Sequence, residues 1–98
     1  LAAGQVKKAQ QALEKSRARD GRDGRVLRDL AAAHAKLGNK GMASVLTAER
    51  YAMGGRFKDA AIHAERASGL LPRGSGAWQR AQDVLSAAQA AAKRKKRR

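Results

Sequence analysis

The chain has 98 residues, which limits it to one small domain. It contains no cysteine, which excludes a disulfide framework and thiolate metal sites, and no apolar run approaches the roughly 20 residues of a membrane span. Alanine accounts for 23 residues, against four valines and one isoleucine, so the composition favours helices over strands. The chain is predicted to be all-α. Its net charge of +14 favours acidic partners or surfaces.

The first predicted helix spans residues 5–19, where Val6, Ala9, Ala12 and Leu13 form an apolar stripe at helical spacing. A turn cluster over residues 20–24 follows it. The second predicted helix spans 25–37, and Gly38 is expected to end it in a left-handed conformation.

The third predicted helix spans 40–53 and ends at a pair of glycines, and the fourth spans 56–70. Ser75 is a good N-cap for the last helix, 76–92. Residues 93–98 form a basic tail of six consecutive positive charges. The pattern therefore predicts about five helices in a helical domain over 1–92, followed by the tail.

The spacing of four small or turn-forming residues indicates a repeat. Counted from Gly41, the residues Gly55, Ala60, Ala67 and Pro72 fall at positions 15, 20, 27 and 32 of a 34-residue unit. This arrangement resembles the tetratricopeptide repeat, a helix–turn–helix unit in which small residues lie where its two helices touch. The resemblance implies a short right-handed solenoid of antiparallel helix pairs.

The repeat period extends in both directions from the clear unit at 41–74. One period later, Trp78 falls at position 4, where the repeat prefers a large residue, and 75–92 would form a capping helix. One period earlier, 7–40 reads as a degenerate repeat. A second phase that starts at Gly24 also fits locally, and the pattern alone leaves the choice open.

A second resemblance covers Ala48 to Leu85. The chain contains the pattern Pro-x-Gly-Ser-x-x-Trp-x-Arg-Ala-Gln-Asp, which runs from Pro72 to Asp83. This segment is similar to the C-terminal end of bacterial zinc metallopeptidases that carry tetratricopeptide repeats. The resemblance implies that a periplasmic or membrane-associated parent protein holds zinc in a separate HExxH protease domain. Leu1 is not methionine, which suits a piece of a longer chain.

These 98 residues themselves contain no HExxH motif. Its two histidines must lie four residues apart on one helix, whereas His34 and His63 are 29 apart and neither precedes a glutamate. We therefore expect no catalytic residue, metal ligand or cofactor here. Whether the parent is an enzyme depends on the resemblance alone.

Repeats of this type usually bind proteins, so the predicted function is an interaction scaffold. The partner-facing residues of the clear repeat are predicted to be Met42, Val45, Glu49, Ala52 and Met53. Under the second phase, Arg25, Arg28 and Lys36 join them and favour acidic segments. The methionines offer an adaptable apolar strip to a peptide or a partner helix. The partner is expected to be a substrate or partner peptide, the parent's own protease domain, or a second copy of the chain.

Two alternatives stay open. The first is a free-standing peptide-binding adaptor. The second is a binder of nucleic acid or of an anionic membrane surface, which the basic charge favours. Single-strand binders add stacking aromatic residues to such charge, however, and this chain has only three aromatics. Specific nucleic-acid binding is therefore the less favoured prediction.

Overall fold

The computed structural model describes residues 24–96, except for the side chain of Lys96. Within this range the chain forms four helices and no strand: α1 (Gly24–Lys36), α2 (Lys40–Met53), α3 (Phe57–Leu70) and α4 (Gly76–Lys96). The predicted all-α class is confirmed for these residues. The predicted helix at 5–19 and the last two residues of the tail lie outside the described residues, so the prediction of five helices is not tested.

Glycines in the left-handed region end the first two helices. Gly38 has φ +81° and Gly55 has φ +78°. After α1, the amide of Asn39 donates to the carbonyl of His34 at 2.8 Å, and after α2 the amide of Arg56 donates to Tyr51 at 2.9 Å. These bonds satisfy carbonyls that the helix leaves unpaired, and the left-handed turn suits glycine because it has no Cβ.

Helix α4 starts as the sequence predicts and ends later. The Ser75 hydroxyl accepts a hydrogen bond from the backbone amide of Trp78 at 3.2 Å, which confirms the predicted N-cap. The helix then continues past residue 92 through Lys96, so it includes four residues of the predicted basic tail. Lysine and arginine are good helix formers, and positive charge is favourable at a helix C-terminus.

Helix α2 is the centre of the packing. It contacts α1, α3 and α4, whereas α4 contacts α2 and α3, and α1 contacts α2 alone within the described residues. The largest fully buried side chains are Leu27, Leu30, Val45 and Leu46. Five alanines have no exposed surface: Ala48, Ala60, Ala64, Ala67 and Ala81. The core therefore combines a few large side chains with helix faces that carry only alanine methyl groups.

Gly41 allows a close approach between the start of α2 and the turn after α3. A Cβ atom at this position would lie 2.7 Å from Cδ2 and 2.8 Å from Cγ of Leu71, which follows α3. Real contacts of a Cβ atom are longer, so the hydrogen of Gly41 lets the turn after α3 pack on the start of α2.

On another side of α2 and α3, Tyr51 stacks on His63 with ring centroids 5.3 Å apart and an interplanar angle of 18°. The guanidinium groups of Arg50 and Arg56 lie 5.1 and 5.0 Å from the Tyr51 ring centroid. Partial burial, together with the positive charge of Arg66, lowers the pKa of His63 below its ordinary value of 6.5.

We expect Gly41→Ala to destabilise the protein by about 1 kcal/mol, because the clash with Leu71 exceeds the gain in helix propensity. The matched control is Gly69→Ala in α3, where nothing lies within 4 Å of an added Cβ. That substitution should stabilise the protein by about 0.5–1 kcal/mol. Urea unfolding of both variants measures the difference, and equal effects would show that the contact with Leu71 does not constrain α2.

The lowered pKa of His63 predicts a pH dependence of stability. As the pH falls through 6.5, the unfolded chain protonates His63 before the folded protein does, so the free energy of unfolding decreases. Above that range the imidazole is neutral in both states and the effect vanishes. His63→Gln should lack this component. Urea unfolding between pH 7.5 and 5.5 should therefore show wild type losing stability relative to the variant; parallel curves would contradict the prediction.

Candidate functional site

A groove of about 440 Å³ opens between α2 and α4, beside the ends of α1 and α3. We call it the α2–α4 groove. Its lining residues are Leu27, Glu49, Ala52, Met53, Phe57, Arg80, Asp83, Val84 and Ala87. All four described helices contribute to it, so the groove depends on the packing around the C-terminal half of α2.

An ion pair across the groove joins α2 to α4. The guanidinium of Arg80 donates to both carboxylate oxygens of Glu49, and the Nε–Oε2 distance is 3.0 Å. The two side chains are only 27% and 20% exposed, so solvent screens this pair less than it screens a surface ion pair. A bidentate pair of this kind fixes the relative position of the two helices as well as the two charges.

The remaining lining is mostly apolar. Leu27 and Val84 are buried at 2% and 6% exposure, and Phe57 is half-buried. Met53 is 43% exposed at the last turn of α2, which makes it one of the exposed large apolar side chains. Asp83 adds a carboxylate that accepts a hydrogen bond from Gln79 at 3.3 Å. The groove therefore combines apolar side chains with three charged ones, Glu49, Arg80 and Asp83.

The structure separates the residues that were predicted to face a partner. Glu49, Ala52 and Met53 line the groove. Met42 is half-buried against the core. Val45 has no exposed surface and belongs to the core, so its prediction as a partner-facing residue is wrong. The physical reason is that α2 packs against three helices, which leaves it no continuous open face.

The basic residues of α1 lie apart from this groove. Arg25, Arg28 and Lys36 are exposed, and none of them lines it. Arg28 approaches the neighbouring Asp29 at 3.6 Å. The structure therefore does not place Arg25, Arg28 and Lys36 at one site with Met53.

The residues of the predicted repeat signature lie in helix packing contacts or in the turns between helices. Ala60 and Ala67 are fully buried, and Gly55 adopts the positive φ that ends α2. Trp78 is half-buried in the first turn of α4, while Pro72 is exposed in the turn before it.

None of the four residues that α4 contributes to the lining was predicted to face a partner. Asp83 and Ala87 lie 34 residues after Glu49 and Met53, so the repeat period carried one step forward would have found both. Arg80 had no such signal, because its pairing with Glu49 joins residues 31 apart and arises only when α4 packs on α2. Leu27 and Phe57 come from neighbouring helices and likewise have no local signal.

Within residues 24–96, no three histidine or acidic side chains lie close enough together to hold a metal ion. His34 is 4% exposed, and its Nδ1 accepts a hydrogen bond from the Asn39 side chain at 3.3 Å, which places it at the end of α1 as a packing residue. In the same range, no helix combines the length and apolar character that a membrane crossing requires.

Comparison of this chain with protein-family models, with curated proteins and with solved structures finds no match.

We expect Arg80→Met to cost about 1–2 kcal/mol of stability, because it leaves the half-buried carboxylate of Glu49 without its bidentate donor. Arg28→Met is the control, since Arg28 is exposed and its ion pair is long; it should change stability by less than about 0.5 kcal/mol. Urea unfolding at low and high salt measures both variants. Equal costs would show that the pair does not hold α4 on α2.

Proposed function

We propose that this chain is a protein-interaction module that binds a peptide segment of a partner in the α2–α4 groove. The observation that carries the proposal is the relation between the two groove walls. Glu49 and Met53 on α2 and Asp83 and Ala87 on α4 are pairs separated by 34 residues, and all four line the same groove. Equivalent positions of successive helical repeats form such a shared surface.

The fold proposed with it is a tetratricopeptide-like solenoid. Its support is that α4 packs on both helices of the preceding pair, α2 and α3, as the first helix of a following repeat does. Ala60 and Ala67 are fully buried, and α2 ends immediately before the pair Gly54 and Gly55.

The chemistry of the groove suits a peptide with one or two apolar anchors. Met53 is exposed and unbranched, so it can adapt its shape to a side chain that packs against Phe57. Arg80 uses Nε and one terminal nitrogen on Glu49, and its other N–H donors can reach peptide carbonyls. Polar groups would thus orient a segment whose affinity comes from apolar burial.

The parent protein is part of the proposal. The ending from Pro72 to Asp83 supports a place for this module at the C-terminal end of a bacterial zinc metallopeptidase, periplasmic or associated with a membrane. The module would then dock the protease domain or recruit partner and unfolded substrate segments, and zinc would belong to the protease domain. The sequence that encodes the residues upstream of Leu1 tests this: an HExxH helix supports it, and its absence favours a free-standing adaptor.

The test of peptide binding uses a random peptide library displayed on phage and selected on the immobilised full chain. Enriched peptides should carry apolar anchors, and Met53→Glu should weaken their binding by at least tenfold, about 1.4 kcal/mol, because it places a charge on the apolar wall.

The matched control is Ile62→Glu, since Ile62 is also exposed, at 57%, but lies on α3 outside the groove. It should leave the peptide affinity within twofold of wild type. Selection of no peptide above a blank surface would refute the proposal, as would full affinity in the Met53→Glu variant.

A further inference from the structure

A second groove, of about 610 Å³, lies between α3 and the C-terminal half of α4. We call it the α3–α4 groove. Its lining residues are Gly55, Arg56, Phe57, Lys58, Asp59, Ala61, Glu65, Leu85, Ala88, Gln89, Ala91, Ala92 and Lys95. Only Phe57 is shared with the lining of the α2–α4 groove. A partner in one groove would therefore leave most of the other uncovered.

The walls of this groove suit a helix. From Leu85 to Lys95 the α4 wall is about 15 Å long, which matches about three turns of a partner helix. Four of the lining residues are alanines: Ala61, Ala88, Ala91 and Ala92. Three of them lie on the α4 wall, and their small side chains allow another helix to approach α4 closely and to place larger apolar residues in the groove. No strand edge exists in residues 24–96 to pair with an extended peptide.

The charges around the groove favour an acidic occupant. Arg56 is neutralised by Asp59, since their side chains form an ion pair at 2.7 Å. Within the described residues, Lys58 and Lys95 make no ion pair, and Glu65 is the only other acidic side chain of the lining. Lys93 and Arg94 are exposed on the same end of α4. An occupant would therefore meet positive charge at the α4 end.

The same charge argues against two other occupants. A second copy of this chain would bring its own net charge of +14 to a positive surface. Residues 1–23 carry six basic and three acidic side chains, so their net charge is also positive.

We propose that the α3–α4 groove is a second docking surface, which binds an acidic amphipathic helix of a partner protein. The apolar face of that helix packs on the alanines and Leu85, and its acidic flank lies beside Lys58 and Lys95. This surface goes beyond the peptide-binding function proposed for the α2–α4 groove.

The test titrates the full-length chain into a labelled synthetic peptide and follows fluorescence anisotropy. The probe is a capped amphipathic peptide of about 18 residues, long enough to form a helix, with leucine at spacings of three and four, glutamate on the flanks and alanine elsewhere. Its counterpart has every glutamate replaced by lysine. The acidic peptide should bind at least tenfold more tightly than the basic one, and the difference should shrink as salt rises.

Two pairs of variants locate the site. Ala88→Glu places a charge within the groove, whereas Ala90→Glu makes the same change on an exposed position of α4 outside it. The double variant Lys58→Glu/Lys95→Glu removes the positive rim, and Lys36→Glu/Lys40→Glu changes the net charge equally elsewhere. Both groove variants should weaken binding of the acidic peptide at least tenfold, and both controls should stay within threefold of wild type. Circular dichroism confirms that each variant is helical.

Equal losses in groove and control variants would overturn the proposal, as would equal binding of the two peptides. Self-association of the wild-type chain in sedimentation experiments, abolished by Ala88→Glu, would also overturn it and identify a second copy as the occupant. Met53→Glu should leave the affinity for the acidic peptide unchanged, because Met53 lies outside the α3–α4 groove. The test therefore distinguishes failure of this proposal from failure of peptide binding in the α2–α4 groove.

Discussion

The structure depends on how closely α2 can approach its three neighbours. Each buried alanine contributes about 0.8 kcal/mol of hydrophobic stabilisation, whereas a buried leucine or valine contributes about 1.5–3 kcal/mol. The few large side chains, such as Leu30 and Leu46, therefore supply most of the stabilisation, while alanines set the distances between helices. At Gly41 even an alanine side chain is too large, because a methyl group there would meet Leu71. The core therefore contains few large apolar side chains, yet an added methyl group at a close contact between helices is expected to destabilise it.

The central place of α2 also determines which of its residues line the α2–α4 groove, the surface proposed to bind a partner. The middle of α2, around Val45, is covered by other helices, whereas Met53 in its last turn is exposed. There Glu49 is held by Arg80 of α4, and the two residues whose contact joins the helices also line the groove. Folding and the geometry of the α2–α4 groove are thus coupled: a change that loosens α4 also opens the groove. The α3–α4 groove has a different origin, since it follows from the extra length of α4 relative to α3.

Much of the local structure was predictable. Helix α2 has the predicted bounds. Helix α1 begins and ends one residue earlier than predicted, and α3 begins one residue later. Glycine and serine explain this success, because Gly38, Gly55 and Ser75 act through nearby backbone groups. Tertiary contacts were harder to predict. The pattern places Val45 on a face but does not say how many helices cover that face, and nothing local links Arg80 to Glu49. The 34-residue spacing of the predicted repeat is a long-range signal in the sequence, and it relates Glu49 to Asp83 and Met53 to Ala87.

The position of Trp78 has a consequence for how this protein is studied in solution. It is the only tryptophan of the chain, and it lies half-buried in the first turn of α4. Its fluorescence therefore reports the environment at the start of α4, whereas far-ultraviolet circular dichroism reports all helices. Within the described residues α1 contacts only α2, so α1 can separate while the surroundings of the indole stay unchanged. Coincident transitions by the two signals would mean that the four helices unfold as one cooperative unit; a dichroism change that precedes the fluorescence change would reveal the loss of a terminal helix.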